Sequence, residues 1–132
     1  MNAIPPSAEI KDLLAAQGLG VFAEDIFVGK QPVSPDQCIT VIDSGGFTPE
    51  SGYTLDNPTV QILVRGAKDA YVSAWNKAQQ IKVYLHNYSE ASPQSDNSRI
   101  IGIWAMGDIL FIEWDESNRP VFSINFRIQR TG

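Results

Sequence analysis

Thr59-Val60-Gln61-Ile62-Leu63-Val64-Arg65 reads as a strand, Gly66 breaks it, and the apolar residues that follow change period. Val60, Ile62 and Val64 alternate and so share one face of that strand. Beyond the glycine, Ala67, Tyr71, Ala74, Ala78, Ile81 and Leu85 recur at alternating steps of four and three, the one-sided stripe of an amphipathic helix. Lys68, Asp69, Ser73, Lys77, Gln80 and Lys82 fall largely off the stripe. Half of the stripe is alanine, so the helix can lie close to a sheet while Tyr71 and Leu85 fill the gaps. A strand that feeds directly into a helix covering its own sheet is the kernel of an α+β layer.

The remaining elements can be placed around this kernel. Ser7 is the expected N-cap of a first helix, with Glu9 in the first turn, where the helix dipole favours it, and Ile10, Leu13 and Leu14 on one face. Gly18 and Gly20 stop that helix. Ile26-Phe27-Val28 reads as a short strand, residues 30–36 as a turn-rich connector, and Cys38 to Asp43 as a further strand with Ile39 and Val41 on one face. From Asp43 to Pro58 the glycines and prolines crowd together and periodicity vanishes, which predicts a long loop. One reading of it is a solvated excursion. The other is a contact arm, built from Asp43, Ser44, Gly45, Gly46, Phe47, Tyr53 and Leu55, whose apolar groups await a partner.

Residues 89–98 form a polar loop, and Ile100–Trp104 and Ile109–Trp114 read as two strands around a Gly107-Asp108 turn or bulge. The last strand is the clearest: Phe122, Ile124, Phe126 and Ile128 face one way, and Ser123, Asn125, Arg127 and Gln129 the other. Burying the four apolar side chains contributes roughly 6–12 kcal/mol before chain entropy is set against it. The last three strands are expected to close the sheet as an antiparallel meander.

A chain of 132 residues fits one domain, 1–132, with residues 1–6 expected to be flexible. Its net charge of −5 argues against sequence-independent nucleic-acid binding, which needs a basic footprint. Arg99, Arg119, Arg127 and Arg130 give the C-terminal third a basic lean, read as a solvated sheet face with a nucleic-acid patch as the weaker alternative. Cys38 is the only cysteine, so no disulfide can form within one chain. The start of the sequence lacks a basic segment followed by an apolar run, so no signal peptide is expected. The most apolar segment, Ile100 to Trp114, is too short and too interrupted to span a bilayer, so no membrane partner is expected.

Catalytic signals are sparse. The single histidine, His86, sits near the end of the long helix, where the dipole alone accounts for an imidazole. One cysteine and one histidine cannot assemble a zinc site of ordinary composition. Gly18-Leu19-Gly20-Val21-Phe22-Ala23 matches a loose dinucleotide pattern but follows a helix, where the fingerprint requires a strand. The acidic pairs Glu24-Asp25 and Asp115-Glu116 read as solvated turns, and Asn87-Tyr88-Ser89 lacks the secretory context of a glycosylation site. No catalytic residue, metal ligand or cofactor is expected.

The order of several short motifs resembles a known family. Ile26-Phe27-Val28-Gly29, Asp43-Ser44-Gly45-Gly46 and Asn57-Pro58 leading into Thr59–Gly66 agree with it in the first half. Gly102-Ile103-Trp104, Gly107-Asp108, Asp115–Pro120 and Phe122–Arg127 agree in the second. Together they resemble the minor capsid proteins of long-tailed bacteriophages, a family that overlaps with tail terminators, also called tail-completion or head–tail joining proteins. The resemblance implies an α+β fold, mainly an antiparallel sheet with two helices packed on one face. It also implies a structural role: a homo-hexameric ring that caps the tail tube, meets head-completion or connector proteins, and lets DNA pass through its lumen. Six copies would carry roughly thirty negative charges, which suits a channel through which DNA slides. The expected location is the tail or neck of the virion, assembled in the bacterial cytoplasm. The other reading is a small-molecule-binding or enzymatic α+β domain with its pocket under the 43–58 loop.

Overall fold

The computed structural model describes residues 4–47, 55–89 and 99–131. In chain order the elements are α1 (Pro6–Ala16), β1 (Ile26–Val28), β2 (Cys38–Phe47), β3 (Leu55–Arg65), α2 (Tyr71–Leu85), β4 (Arg99–Ala105), β5 (Leu110–Trp114) and β6 (Pro120–Thr131). The strands form one six-stranded sheet in the order β1-β2-β3-β6-β4, with β5 also on β6. Only β1 and β2 run parallel; the other pairings are antiparallel. This is an α+β fold with a mostly antiparallel sheet.

Register explains the core. Val60, Ile62 and Val64 of β3 stand opposite Phe126, Ile124 and Phe122 of β6, while Val64 and Ile62 also stand opposite Ile39 and Val41 of β2. Directly opposed residues share a face, so the alternation seen in three separate segments merges into one apolar surface. Ile10 and Leu14 of α1 and Ala74, Ala78, Ile81 and Leu85 of α2 join the same buried cluster. The approach of α2 is close: a Cβ built on Gly66 would lie 2.7 Å from Cβ of Ala74. Any larger residue at 66 would push the helix off the sheet. On β6 the expected faces hold, since Phe122, Ile124, Phe126 and Ile128 are buried and Asn125 and Arg127 are exposed.

Several expectations need correction. The long helix starts at Tyr71, not Ala67, because Asp69 takes a positive φ of 60° and its amide bonds to the carbonyl of Asn118 instead of winding a turn. Tyr71, expected on the buried stripe, is 41% exposed and covers the core from its rim. Ser7 does not cap α1: Pro5 is the N-cap and Pro6 occupies the first turn, where a missing N–H costs nothing. Helix α1 therefore begins inside the segment expected to be flexible, and the carbonyl of Ile4 accepts a bond from Arg130. The last three strands are not a meander. β5 and β6 form a hairpin, but β4 and β5 both pair with β6, β4 along Phe126–Thr131 and β5 along Pro120–Ser123. Gly107-Asp108 is thus a jog between two strands on the same side of β6. Residues 90–98 of the expected polar loop lie outside the described residues.

Candidate subunit-contact site

The expected 43–58 loop is mostly strand. β2 continues through Phe47 and β3 begins at Leu55, so only residues 48–54, Tyr53 among them, lie outside the described residues. Glycine and proline here mark a bulge and not a loop. Asp43 pairs with Val60, the register then slips, and pairing resumes at Gly46 with Pro58 and Phe47 with Asn57. Gly45 and Gly46 take φ of 86° and 146°. A Cβ on Gly46 would sit 2.5 Å from the carbonyl oxygen of Asn57, so no other residue fits without moving the partner strand. Pro58 is tolerated beside this irregularity because it offers no N–H to the ladder.

The candidate contact residues divide by what they already bind. The carboxylate of Asp43 accepts the backbone N–H of Ser7 at 2.9 Å and the Ser7 hydroxyl at 2.7 Å, pinning the start of α1 to β2. Ser7 lies inside the first turn, and the two bonds set a carboxylate at the helix N-terminus, where the dipole favours it. The Ser44 and Thr59 hydroxyls lie 2.8 Å apart and are hydrogen-bonded. Phe47 is 54% exposed, and the Arg127 guanidinium carbon lies 5.7 Å from its ring centre and 5.5 Å from that of Trp104. Leu55 is half-buried opposite Thr131. The structure therefore gathers Asp43, Ser44, Gly45, Gly46, Phe47 and Leu55 at the bulged end of the β2–β3 pairing, where β3 is also paired with β6, the first four shape the bulge, and Phe47 is exposed.

Next to this bulge lies a recess of about 350 Å³, lined in part by Pro6, Asp43, Phe47, Asp56 and Arg130. Arg130 is buried against the carboxylate of Glu9, also donates to the carbonyl of Ile4 at 3.1 Å, and has Asp56 at 3.7 Å. Its charge is thereby neutralised, and the recess is not built to hold an anion. A second cavity of about 270 Å³ is lined in part by Asp25, Cys38, Arg65, Ser73 and Lys77. Burial, outweighing the nearby Arg65, pushes the Cys38 thiol above its ordinary value and so favours the neutral thiol over the thiolate. His86 stands apart from both cavities, its Nδ1 accepting the N–H of Ala105 at 3.0 Å. Among the described residues no cluster of His, Cys, Asp or Glu could hold a metal ion.

Three features escaped the sequence reading. Glu9 lies in the first turn of α1 as expected, but it is also the buried mate of Arg130. Asp115 is not an idle turn residue: it accepts the N–H groups of Ser117 and Arg119 and the Nε of Arg119 at 2.8–3.0 Å. Burial opposes the charged carboxyl, yet these donors hold its pKa below the usual carboxylate range. Arg119 also reaches Asp36 and the carbonyl of Val33, and Arg65 binds the carbonyls of Pro32, Val33, Pro35 and Asp36. With Arg119 and Arg130 buried and only Arg127 exposed, these three do not form a basic patch. The third feature is an aromatic group in which Tyr71 contacts Phe111, Trp114 and Phe122 with ring centres 4.9–6.0 Å apart. Its signal was the run Leu110-Phe111-Ile112, which is apolar without alternation.

The same fold occurs in a chain of a solved structure titled "Virion of native gene transfer agent (GTA) particle". The match covers 97% of this chain and 96% of that one, with 15% identity and a TM-score of 0.69. No curated protein matches the sequence. A family model described as "Bacteriophage tail terminator protein" matches residues 13–131. The match takes in every strand and α2, and the chain belongs to the bacteriophage tail terminator family.

Proposed function

We propose that this phage tail protein acts as a ring, six copies closing on the end of the tail tube and offering their other side to the head-completion or connector proteins. Membership of the terminator family across nearly the whole chain is the observation that carries the reading. The protein works by contact and not by catalysis. Both helices cover the same face of the sheet, which leaves the opposite face, with Trp104, Arg127 and Phe47, for neighbours. DNA passes through the lumen without specific binding, past an excess of acidic charge. Assembly takes place in the bacterial cytoplasm and the product resides in the virion neck.

In this reading the bulged end of the β2–β3 pairing is a partner contact. Phe47 and Leu55 stand at it, and Tyr53 belongs to the segment that joins its two strands. Removing Thr48 to Thr54 and closing the hairpin with a short turn leaves every described strand and helix in place. A phage lacking this protein, complemented with the trimmed version, should yield unjoined heads and tails or tubes of irregular length by electron microscopy. Joined particles at normal yield would show that this segment has no part in assembly.

A further inference from the structure

Among the described side chains of the strands, one exposed cation stands on the sheet face opposite the core, and it is set between two rings. The guanidinium carbon of Arg127 lies 5.5 Å from the centre of the Trp104 ring and 5.7 Å from that of Phe47. Glycines place both rings. Trp104 lies back along β4 over Gly102, where any Cβ would collide with the indole, and the bulge at Gly45 and Gly46 brings Phe47 opposite Asn57. Neither ring is buried: Phe47 is 54% exposed and Trp104 half-buried.

What this guanidinium lacks is an acceptor. Among the described residues it donates no hydrogen bond and joins no ion pair, whereas Arg65, Arg119 and Arg130 are all bonded. Its neighbours by register are uncharged: Asn57, Thr59 and Gln61 on β3, and Asn125 and Gln129 on β6. Gln61 and Gln129 donate elsewhere, to Ser123 and Asn57. Glu113 shares this face, but it stands opposite Val121, far enough along β6 to be about 20 Å away. Asp56 stands on the core face, beside Arg130.

Rings on its flanks hold a guanidinium without using its donors, and its fork matches the two oxygens of a carboxylate or phosphate. Holding the side chain in advance also lowers the entropy lost on binding. The two ligands are separated by charge count. A phosphate backbone is bound by several cations together, and this face offers one, in a chain of net charge −5. A single carboxylate needs a single fork, and the exposed rings beside it give an apolar neighbour of that carboxylate a seat. Arginine and aromatic side chains together are what the centres of protein interfaces are rich in.

We infer that Arg127 is the docking point for an acidic side chain of a partner protein, its carboxylate held by the guanidinium and an adjacent apolar residue resting on Phe47 or Trp104. This rests on the reading of the protein as one that works by contact, and names the chemistry that its open face selects. The acidic excess elsewhere on the chain repels the same segment, so the free guanidinium also decides where it lands.

The test uses the purified full chain and two capped dipeptides, acetyl-Phe-Glu-amide and acetyl-Phe-Gln-amide, followed by NMR at the Arg127 Nε–H and the Trp104 indole N–H. The Glu peptide should shift both signals and bind roughly tenfold more tightly than the Gln peptide. Arg127→Ala should remove that difference at the Trp104 signal. Equal shifts from the two peptides, or none from either, overturn the carboxylate site. A short oligothymidylate that moves these signals more than the Glu peptide at equal concentration overturns the choice of a protein over a nucleic acid. In the phage, Arg127→Glu should fail to complement a strain lacking this protein, and Arg127→Ala serves in its place if melting shows the former unfolded. Second-site revertants of Arg127→Glu should exchange an Asp or Glu for Lys or Arg in another virion protein. The same exchange within this chain would make the occupant a second copy and overturn the partner. A folded Arg127 variant that complements like wild type overturns the docking point and leaves the contact reading standing, whereas normal joined particles from a phage with no copy of the protein overturn both.

Discussion

Arg130 and Arg65 are both buried strand arginines, 6% and 4% exposed, and they are held in opposite ways. Arg130 continues the stripe of Phe126 and Ile128 on the core face of β6 and meets a carboxylate, Glu9. Arg65 ends β3 on the opposite face, in line with Gln61 and Leu63, and meets backbone carbonyls of residues 32–36 at 2.6–3.3 Å. The first arrangement joins the two ends of the chain through two charges that need each other. The second folds a connector over the sheet with one charge and several neutral dipoles. The lesson concerns what is stranded when the arginine goes. Without Arg130 a carboxylate is left buried, whereas without Arg65 the freed carbonyls can turn to water as the connector lifts.

Arg130→Met should therefore have the largest effect, about 3–5 kcal/mol of lost stability, because removing one member of a buried pair leaves the other uncompensated. Adding Glu9→Leu should return most of that loss, since a well-packed apolar pair often matches a buried ion pair. Urea melts of wild type, the single and the double variant check this. A double variant no more stable than the single would mean that Glu9 is not the group stranded.

Arg65→Met should cost less, about 1.5–3 kcal/mol, the range for hydrogen bonds made by a charged group. Its effect should also be local. Arg119 still holds the carbonyl of Val33 at 2.7 Å and Asp36 at 3.1 Å, so the connector loosens without leaving. Hydrogen exchange should accelerate at residues 32–37 and remain slow in β3 and β6. Uniform acceleration across the sheet would break the contrast between the two arginines.

The same contrast marks what could be read from the sequence. The core face was legible because alternation in residues 59–65 and 122–128 and the helical stripe ending at Leu85 each encode one side of one layer. Arg130 and Arg65 were not, because their partners lie 121 and about 30 positions away and no local pattern names them. Gly45, Gly46 and Pro58 misled for a different reason: a bulge and a loop use the same residues, and only pairing distinguishes them. The meander failed because β4 and β5 are each plausible neighbours of β6, and the sequence does not say that they share one side of it. Residues 43–58 were legible as an irregular stretch but not as two paired strands. The β5 edge was read as an ordinary strand, although its lack of alternation was visible from the start.

Asp115→Asn tests the second anchor of the connector region, through Arg119. At neutral pH the expected loss is about 1–2 kcal/mol, because an amide keeps only part of the bonding to the Arg119 side chain and to the two N–H groups. The variant should also respond differently to acid. A carboxyl whose folded pKa is lowered stabilises the protein above its unfolded value, about 3.9, and loses that contribution as the pH falls through the folded value. Thermal melts between pH 7 and pH 2 should therefore show a shallower fall below about pH 4 for Asp115→Asn than for wild type. Parallel curves would mean that the Asp115 carboxyl is no better bound in the folded state than in the unfolded one.

Arg127→Ala should have the smallest effect. Arg127 stands on the same face as Arg65 but in solvent, between Phe47 and Trp104, and its contacts are with ring faces and not with carbonyls or a carboxylate. Exposed cation–ring contacts contribute about 0.5–1 kcal/mol each, and part of that is recovered when water solvates the rings' surroundings. A loss of at most about 1 kcal/mol is expected, close to the scatter of surface substitutions. Its structural reach is also short, because Phe47 stays paired with Asn57 through the backbone whether or not the guanidinium is present. Stability should thus fall in the order Arg130, Arg65, Arg127, following burial and the charge of the partner and not the strand that carries the residue. If Arg127→Ala melted as low as Arg65→Met, the opposite face would be a second structural layer, and its aromatic and cationic groups would be occupied in holding the fold and not open to a neighbour.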